Sequence, residues 1–307
     1  MKTVFIDGSA GTTGLRIHER LADRTDLQVL TLSDERRKDP AARAEALQAA
    51  DVAFLCLPDD AARESVALAG DSNVVIIDTS TAHRTAPDWT YGFPELGYRD
   101  AIKTSHRIAN PGCHASGFLA LVAPLTSAGI LPKGAELTCF SLTGYSGGGK
   151  KMIAEYEAAD RDVLFDAPRQ YGLSQKHKHL PEMAAIAGLE RAPVFCPIVA
   201  PYYAGMEVTV PLFRSQLYGA CKEDIAEVYR TVYQNGLVRF RDDQSEGGLL
   251  SAGAFALRDD MEITVQGNDD RILLVARFDN LGKGASGAAI QNMNIVLGVD
   301  ETTGLNV

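Results

Sequence analysis

The sequence predicts an α/β protein of two domains: a Rossmann-type parallel sheet, and an α+β domain with a largely antiparallel sheet. Three observations predict it. Short apolar strands alternate with helical stretches from residue 2 to residue 77. A glycine-rich loop stands between the first strand and the first helix. Beyond about residue 130 the helical spacing gives way to strands that alternate apolar and polar residues. A chain of 307 residues is more than one small core needs and fits two.

Residues 2–7 read as a buried strand, followed by the loop Gly8-Ser9-Ala10-Gly11-Thr12-Thr13-Gly14 and a helical pattern from Leu15 to Leu21. Leu27 to Leu32 is a second strand, Ala41 to Ala50 a helix, and Val52 to Leu57 a third strand stopped by Pro58. Ala61 to Ala69 is a helix and Val74 to Ile77 a fourth strand. Strands separated by helices in this way pair in parallel, with helices on both faces. Asn110-Pro111-Gly112-Cys113 then breaks the chain and launches an apolar run from Ala115 to Leu125. Asn110 is suited to cap a helix and Pro111 to its first position. Alternation at Leu137 to Leu142, Glu207 to Leu212, Met261 to Gln266 and Ile272 to Phe278 predicts antiparallel strands, with Lys222 to Gln234 as a helix on their outer face. Gly284-Ala285-Ser286-Gly287 leads a last helix, Ala288 to Leu297.

Composition narrows the function. Forty acidic against thirty basic residues give a formal charge of −10, which argues against nucleic-acid binding. No apolar stretch reaches the roughly 20 residues that span a bilayer. Met1 to Asp7 enters a strand without the three-part pattern of a signal peptide, so a cytoplasmic location and no membrane partner are expected. The five cysteines, Cys56, Cys113, Cys139, Cys196 and Cys221, are scattered without CxxC spacing. Neither a disulfide framework nor a metal site is expected.

The first loop has the form G-x-x-G-x-x-G. Leaving a strand and opening a helix, it aims backbone N–H groups at a pyrophosphate, and its glycines let phosphate approach. Gly8, Ser9, Gly11, Thr12 and Thr13 are therefore expected to hold a dinucleotide. A plain glycine-rich turn is the alternative. At the end of the second strand Ser33 and Arg36, with Arg37 or Lys38 nearby, favour the 2′-phosphate of NADP(H). Asp34 and Glu35 in the same turn keep NAD open.

Cys113 falls in a first helical turn, among free N–H groups at the positive end of a helix dipole. Both favour the thiolate. His177-Lys178-His179-Leu180-Pro181-Glu182 supplies imidazoles that could take its proton. The loop Asp78-Thr79-Ser80-Thr81-Ala82-His83-Arg84 follows the fourth strand, where such loops line a cofactor crevice. Ser80 and Arg84 are candidates there to hold a phosphate or carboxylate. Ser146-Gly147-Gly148-Gly149-Lys150-Lys151 reads as a flexible basic loop, with Lys150 a further anion contact. A nicotinamide cofactor, a nucleophilic cysteine, a histidine base and an anion-binding arginine together suit reversible reduction of an acyl phosphate through a thioester.

These motifs, with Gly92-Phe93-Pro94-Glu95-Leu96 and Gly284 to Asn294, make the chain resemble the short-type N-acetyl-gamma-glutamyl-phosphate reductases, essentially end to end. The wider superfamily includes aspartate-semialdehyde dehydrogenase. The resemblance implies an NADP-binding Rossmann domain over 1–112 and 285–307. It also implies a catalytic and dimerisation domain over 113–284, and a homodimer or homotetramer. The substrates it implies are a small acyl phosphate and inorganic phosphate. It further implies that Cys113 forms the thioester, that His179 is the base and His177 a substrate contact, and that Gly287 and Asn292 lie near the nicotinamide. The long type often has Tyr after the nucleophile, where this chain has His114, so His114, His177 and His179 all stand as candidates for the base. Aspartate-semialdehyde dehydrogenase, a reductase of carrier-bound aminoadipyl phosphate and a non-catalytic NADP-binding redox sensor are the competing readings.

Overall fold

The structure is a computed structural model that describes residues 1–242 and 245–307. The chain divides into two compact units, Met1–Gly112 with Ala285–Asn306, and Cys113–Gly284 with Val307.

In the first unit β1 (Lys2–Asp7), α1 (Thr12–Leu21), β2 (Leu27–Leu30), α2 (Pro40–Ala49), β3 (Val52–Leu55), α3 (Asp59–Ala69), β4 (Val75–Asp78), β5 (Thr90–Tyr91), α4 (Arg99–Thr104) and β6 (Arg107–Ala109) follow in order. Six parallel strands run β2-β1-β3-β4-β6-β5. The order reverses between β1 and β3, so a crevice opens at their carboxyl ends, where open α/β sheets bind ligands. Both sheet faces are covered, which is why the strands are continuously apolar. Val4, Ile6, Val52 and Phe54 pack with Ile17 and Leu21 of α1 and with Ile290 and Met293 of the C-terminal helix. Phe5, Ala53, Leu55 and Ile76 face Leu47 and Ala62.

The second unit holds α5 (Cys113–Ser127), β7 (Thr138–Gly144), α6 (Gly149–Glu157), β8 (Arg169–Gln170), α7 (Leu180–Ala187), β9 (Val194–Ala200), β10 (Met206–Phe213), α8 (Lys222–Val232), β11 (Val238–Phe240), β12 (Met261–Gly267) and β13 (Arg271–Phe278). A widened turn over Gly282–Ser286 precedes α9 (Gly287–Leu297), the C-terminal helix of the first unit. The seven-stranded sheet runs β11-β12-β13-β10-β7-β9-β8. It is mixed: β7 with β9 and β11 with β12 are parallel, and the other pairs antiparallel. Helix α5 lies close on it. A Cβ on Gly117 would stand 2.5 Å from Val208 Cγ2, so only glycine permits the approach. Pro124 within α5 has no N–H for the Ala120 carbonyl, and the Tyr233 hydroxyl donates to that oxygen instead, at 2.7 Å.

Three local expectations are corrected. The strand expected from Leu27 to Leu32 ends at Leu30, because the chain turns at residues 34–38. Asn110 does not cap α5. Its N–H continues the sheet to the Asp78 carbonyl (2.8 Å), and its side chain bonds Ala285 and Asn292. The glycine-rich stretch 146–151 is not a loose loop. It forms a tight turn over Tyr145–Gly148 and the start of α6, tied by Asn280 Nδ2 donating to Ser146 Oγ at 2.9 Å.

Candidate active site

Helix α5 begins at Cys113 itself, with Pro111 and Gly112 outside it. The thiol therefore stands where backbone N–H groups lack intrahelical partners. The body of the helix is rigidly buried, with Ala115 and Phe118 to Val122 wholly enclosed. Cys113 itself is half-buried. Gly284 passes beside it: a Cβ there would lie 3.0 Å from the Cys113 Cβ.

Within the same unit the three histidines gather. The His114 ring lies 5.6 Å from those of His177 and His179, which are 4.8 Å apart. His114 is buried, with Nδ1 2.7 Å from Ser141 Oγ and Nε2 2.6 Å from the Tyr171 hydroxyl. A neutral imidazole has one N–H and one lone pair, and two rotatable hydroxyls satisfy both. Burial, with smaller contributions from the neighbouring His177 and Lys178, lowers its pKa from 6.5 to about 3. His114 is thus neutral at working pH, and both nitrogens are engaged. Burial, with the charge of Cys113 added, raises the Tyr171 phenol well above its usual range. His177 Nδ1 accepts the His179 N–H at 3.2 Å, which requires a lone pair there and leaves the His177 proton on Nε2. His179 is buried at the start of α7. Lys150 is exposed in the first turn of α6. Sequence reasoning missed Ser141, Tyr171 and Phe195, whose ring lies 5.3 Å from that of His114. None carries a local signature.

In the first unit the G-x-x-G-x-x-G loop gives its glycines different duties. Gly8 has φ +88°, and a Cβ would strike the Cys56 carbonyl oxygen at 2.3 Å. A Cβ on Gly14 would lie 2.5 Å from the Gly8 oxygen. Gly11, at φ −77°, has no such neighbour and caps α1 without a side-chain hydrogen bond. The fold needs the outer glycines, whereas the middle one meets no such close contact. Ser9 lies in the same turn and helps line a cavity of about 330 Å³ with Gly8, Leu32, Arg37, Lys38 and Leu57. From the basic run, Arg37 and Lys38 border this cavity. Arg36 pairs with Glu45 at 3.0 Å and Arg37 with Asp34 at 2.9 Å, and Ser33 is exposed beside the turn. Arg43, missed in the sequence, also lines the cavity. It is buried against Asp7 (3.1 Å), with Glu64 (2.6 Å) and Ser65 (2.6 Å) as further partners.

Other site candidates of this unit hold their own loops. Ser80 donates its hydroxyl to Asp78 (2.7 Å), which also contacts His83 Nδ1 (2.7 Å). Arg84 bonds the carbonyls of Asn110 and Thr79, each at 3.0 Å. Asn292 donates to the Gly92 carbonyl at 2.9 Å, while its Oδ1 is buried without a partner among the described residues. Such an acceptor fits an amide N–H from a ligand. Gly287 opens α9 and is buried.

One unit thus carries a dinucleotide-type crevice, and the other a cysteine opening a buried helix and a cluster of three histidines. Family models for the semialdehyde dehydrogenase NAD binding domain and dimerisation domain match residues 3–105 and 113–280. The chain belongs to that family, and within it to the N-acetyl-gamma-glutamyl-phosphate reductases. The reductase of that name from Sinorhizobium medicae is 45% identical, over 96% of this chain and 98% of its own. One from Rhizobium meliloti is 47% identical at the same coverage. One from Nostoc is 44% identical, covering 98% of each chain. Among solved structures, aspartate semialdehyde dehydrogenase II of Vibrio cholerae superposes with a TM-score of 0.73 at 16% identity, over 97% of this chain and 98% of that one. The Candida albicans enzyme with NADP gives 0.69 at 14%, with the same coverage. At such identity the likeness is one of fold.

Proposed function

We propose that this chain reduces N-acetyl-L-glutamyl 5-phosphate to N-acetyl-L-glutamate 5-semialdehyde and phosphate, a step of arginine biosynthesis, with NADPH as reductant. The observation that carries the reading is Cys113 at the head of α5, in the unit that gathers His114, His177 and His179. The Cys113 thiolate bonds to the acyl carbon, and the carbon–oxygen bond to phosphate breaks with its electron pair leaving on phosphate. His179 takes the thiol proton and passes it to the departing phosphate. NADPH, when bound, would supply the hydride that reduces the acyl carbon. The first-turn N–H groups of α5 stabilise the oxygen that becomes negative, and collapse of the hemithioacetal returns the thiolate. His177 presents Nε2–H to the substrate. Lys150, Arg84 and Ser80 are assigned to its anionic groups.

For the coenzyme, Gly8, Ser9, Gly11, Thr12 and Thr13 are assigned to the pyrophosphate. The turn of Ser33 and Arg36, through Arg37 and Lys38, is assigned to the 2′-phosphate. Asn292 is assigned to the carboxamide, with Gly287 near it; the buried Asn292 Oδ1 supports this. The domains of this reading are 1–112 with 285–307 for coenzyme and 113–284 for catalysis and dimerisation. A homodimer or homotetramer is supported by the dimerisation-domain match and by exposed Phe140, Val194 and Phe213 on strands of the second sheet. No helix among the described residues is long and apolar enough to cross a membrane, and the five cysteines are free. A cytoplasmic enzyme is consistent with both.

The test is phosphate-dependent reduction of NADP with a panel of semialdehydes. N-acetylglutamate semialdehyde should exceed aspartate semialdehyde in kcat/KM by at least ~100-fold, since the latter brings an α-ammonium that a closed site for an acetylated substrate leaves unpaired. Equal or better turnover of aspartate semialdehyde refutes the assignment.

A further inference from the structure

Between β8 and α7 the chain carries Tyr171, His177 and His179, and one residue there adopts a backbone that its side chain does not favour. Gln175 has φ +54°, in the left-handed region where glycine is unstrained and other residues are not. A glycine would serve if only the turn mattered. The glutamine side chain has a definite target. Its Nε2 donates to the Phe195 carbonyl at 2.7 Å, and its Oε1 accepts the Phe195 N–H at 2.9 Å.

These two bonds complete a ladder. Edge strand β8 pairs Arg169 with Val199 and Gln170 with Ile198 of β9. The Tyr171 N–H then reaches the Pro197 carbonyl at 3.0 Å, and beyond it the chain leaves the sheet through Gly172. Phe195 would be left with a bare N–H and C=O on that edge. The Gln175 amide supplies both partners, as a further strand residue would. Phe195 is 1% exposed, and its ring meets the rings of His114 and His177 at 5.3 and 5.1 Å.

We propose that Gln175 is a positioning residue for the His177–His179 pair, its side-chain amide clamping their loop to β9 at Phe195. The left-handed backbone is tolerated because it delivers the amide to that edge. Gln175 touches no reacting atom in this role. It acts through the loop, holding the His177 ring on Phe195 so that His177 Nδ1 meets the His179 N–H. The catalytic part rests on the proposed function.

The experiment compares Gln175→Ala, Gln175→Gly and Gln175→Glu with the wild type, by kcat and KM across pH and by histidine NMR without substrate. Both Ala and Gly variants should lower kcat at least ~10-fold with KM for NADP unchanged, and should shift the His177 and His179 resonances. Gly keeps the backbone conformation and loses the amide, so wild-type kcat and spectra in Gln175→Gly would overturn the proposal. Gln175→Glu separates the clamp from general stability. A protonated carboxyl can donate to the Phe195 carbonyl, and an ionised one cannot. Its kcat relative to wild type at the same pH should therefore rise at least ~5-fold from pH 7.5 to 5, with the histidine spectrum returning toward wild type. A flat ratio with unshifted histidines refutes the clamp. Should the wild type show no semialdehyde activity, the proposed function falls, and the NMR comparison alone decides on Gln175.

Discussion

His114 should stay neutral in the folded protein far below the pH at which a free histidine charges, and stability should record this. The structure buries it between Ser141 and Tyr171, and its pKa falls from 6.5 to about 3. The sign follows from proton counts. Between these values the unfolded state binds a proton that the folded state does not, so stability is present above pH 6.5 and is lost as pH falls toward 3. At pH 4.5 the unfolded histidine is two units past its midpoint, and the folded one is still neutral. One unit corresponds to about 1.4 kcal/mol, so the second unit should lose about 3 kcal/mol between pH 7.5 and 4.5 through this residue alone. His114→Gln isolates the effect, because its amide can meet both hydroxyls and does not titrate. The stability difference between wild type and variant should shift by that amount over the window. Urea unfolding, followed by hydrogen exchange in peptides of α5 and β7, resolves the second unit from the first. Histidine NMR reads the titration directly. A His114 midpoint above about pH 5.5, or parallel pH dependence in the two proteins, would refute the reasoning.

Three further outcomes are expected. Cys113→Ser should retain NADP binding and lose nearly all turnover, and iodoacetamide should label Cys113 well before Cys56, whose buried thiol is raised to about 12; faster labelling of Cys56 counts against the nucleophile. Arg37→Ala should weaken NADPH about tenfold or more relative to NADH, and Arg36→Ala by less, since Arg37 and not Arg36 lines the cavity; titration calorimetry giving the reverse order would return the 2′-phosphate to Arg36. Arg43→Met should destabilise the first unit by about 3–5 kcal/mol by leaving Asp7 buried without its ion pair, read from fluorescence of the single tryptophan, Trp89, during urea unfolding; a loss below about 1 kcal/mol would show that Ser65 and solvent satisfy Asp7.

What the sequence made legible was what local pattern encodes. Apolar strands and helices in alternation yielded the parallel sheet, and the glycine spacing yielded the turn between β1 and α1. The break at Asn110 to Cys113 located the helix that Cys113 opens. Strand β9 stayed hidden because Pro197 interrupts it, although it lies inside the sheet between β7 and β8. Proline is tolerated there because β8 is short and the chain passes it at Tyr171, which needs only the Pro197 carbonyl. The histidine pair was visible as a motif, but its neighbours were not: Ser141 and Tyr171 reach His114 from 27 and 57 residues away. Residues with distinctive chemistry could be found by type. Those that hydrogen-bond His114 and Phe195 are an ordinary serine, tyrosine and glutamine, and only the register of β7, β8 and β9 brings them together. The choice among three histidines follows from this difference. His114 follows the proposed nucleophile in sequence, yet burial and two hydroxyls hold it neutral, whereas His177 and His179 lie on the loop that Gln175 ties to β9 at Phe195. A base must change charge during the reaction, and the proposed function therefore assigns that role to the loop rather than to His114.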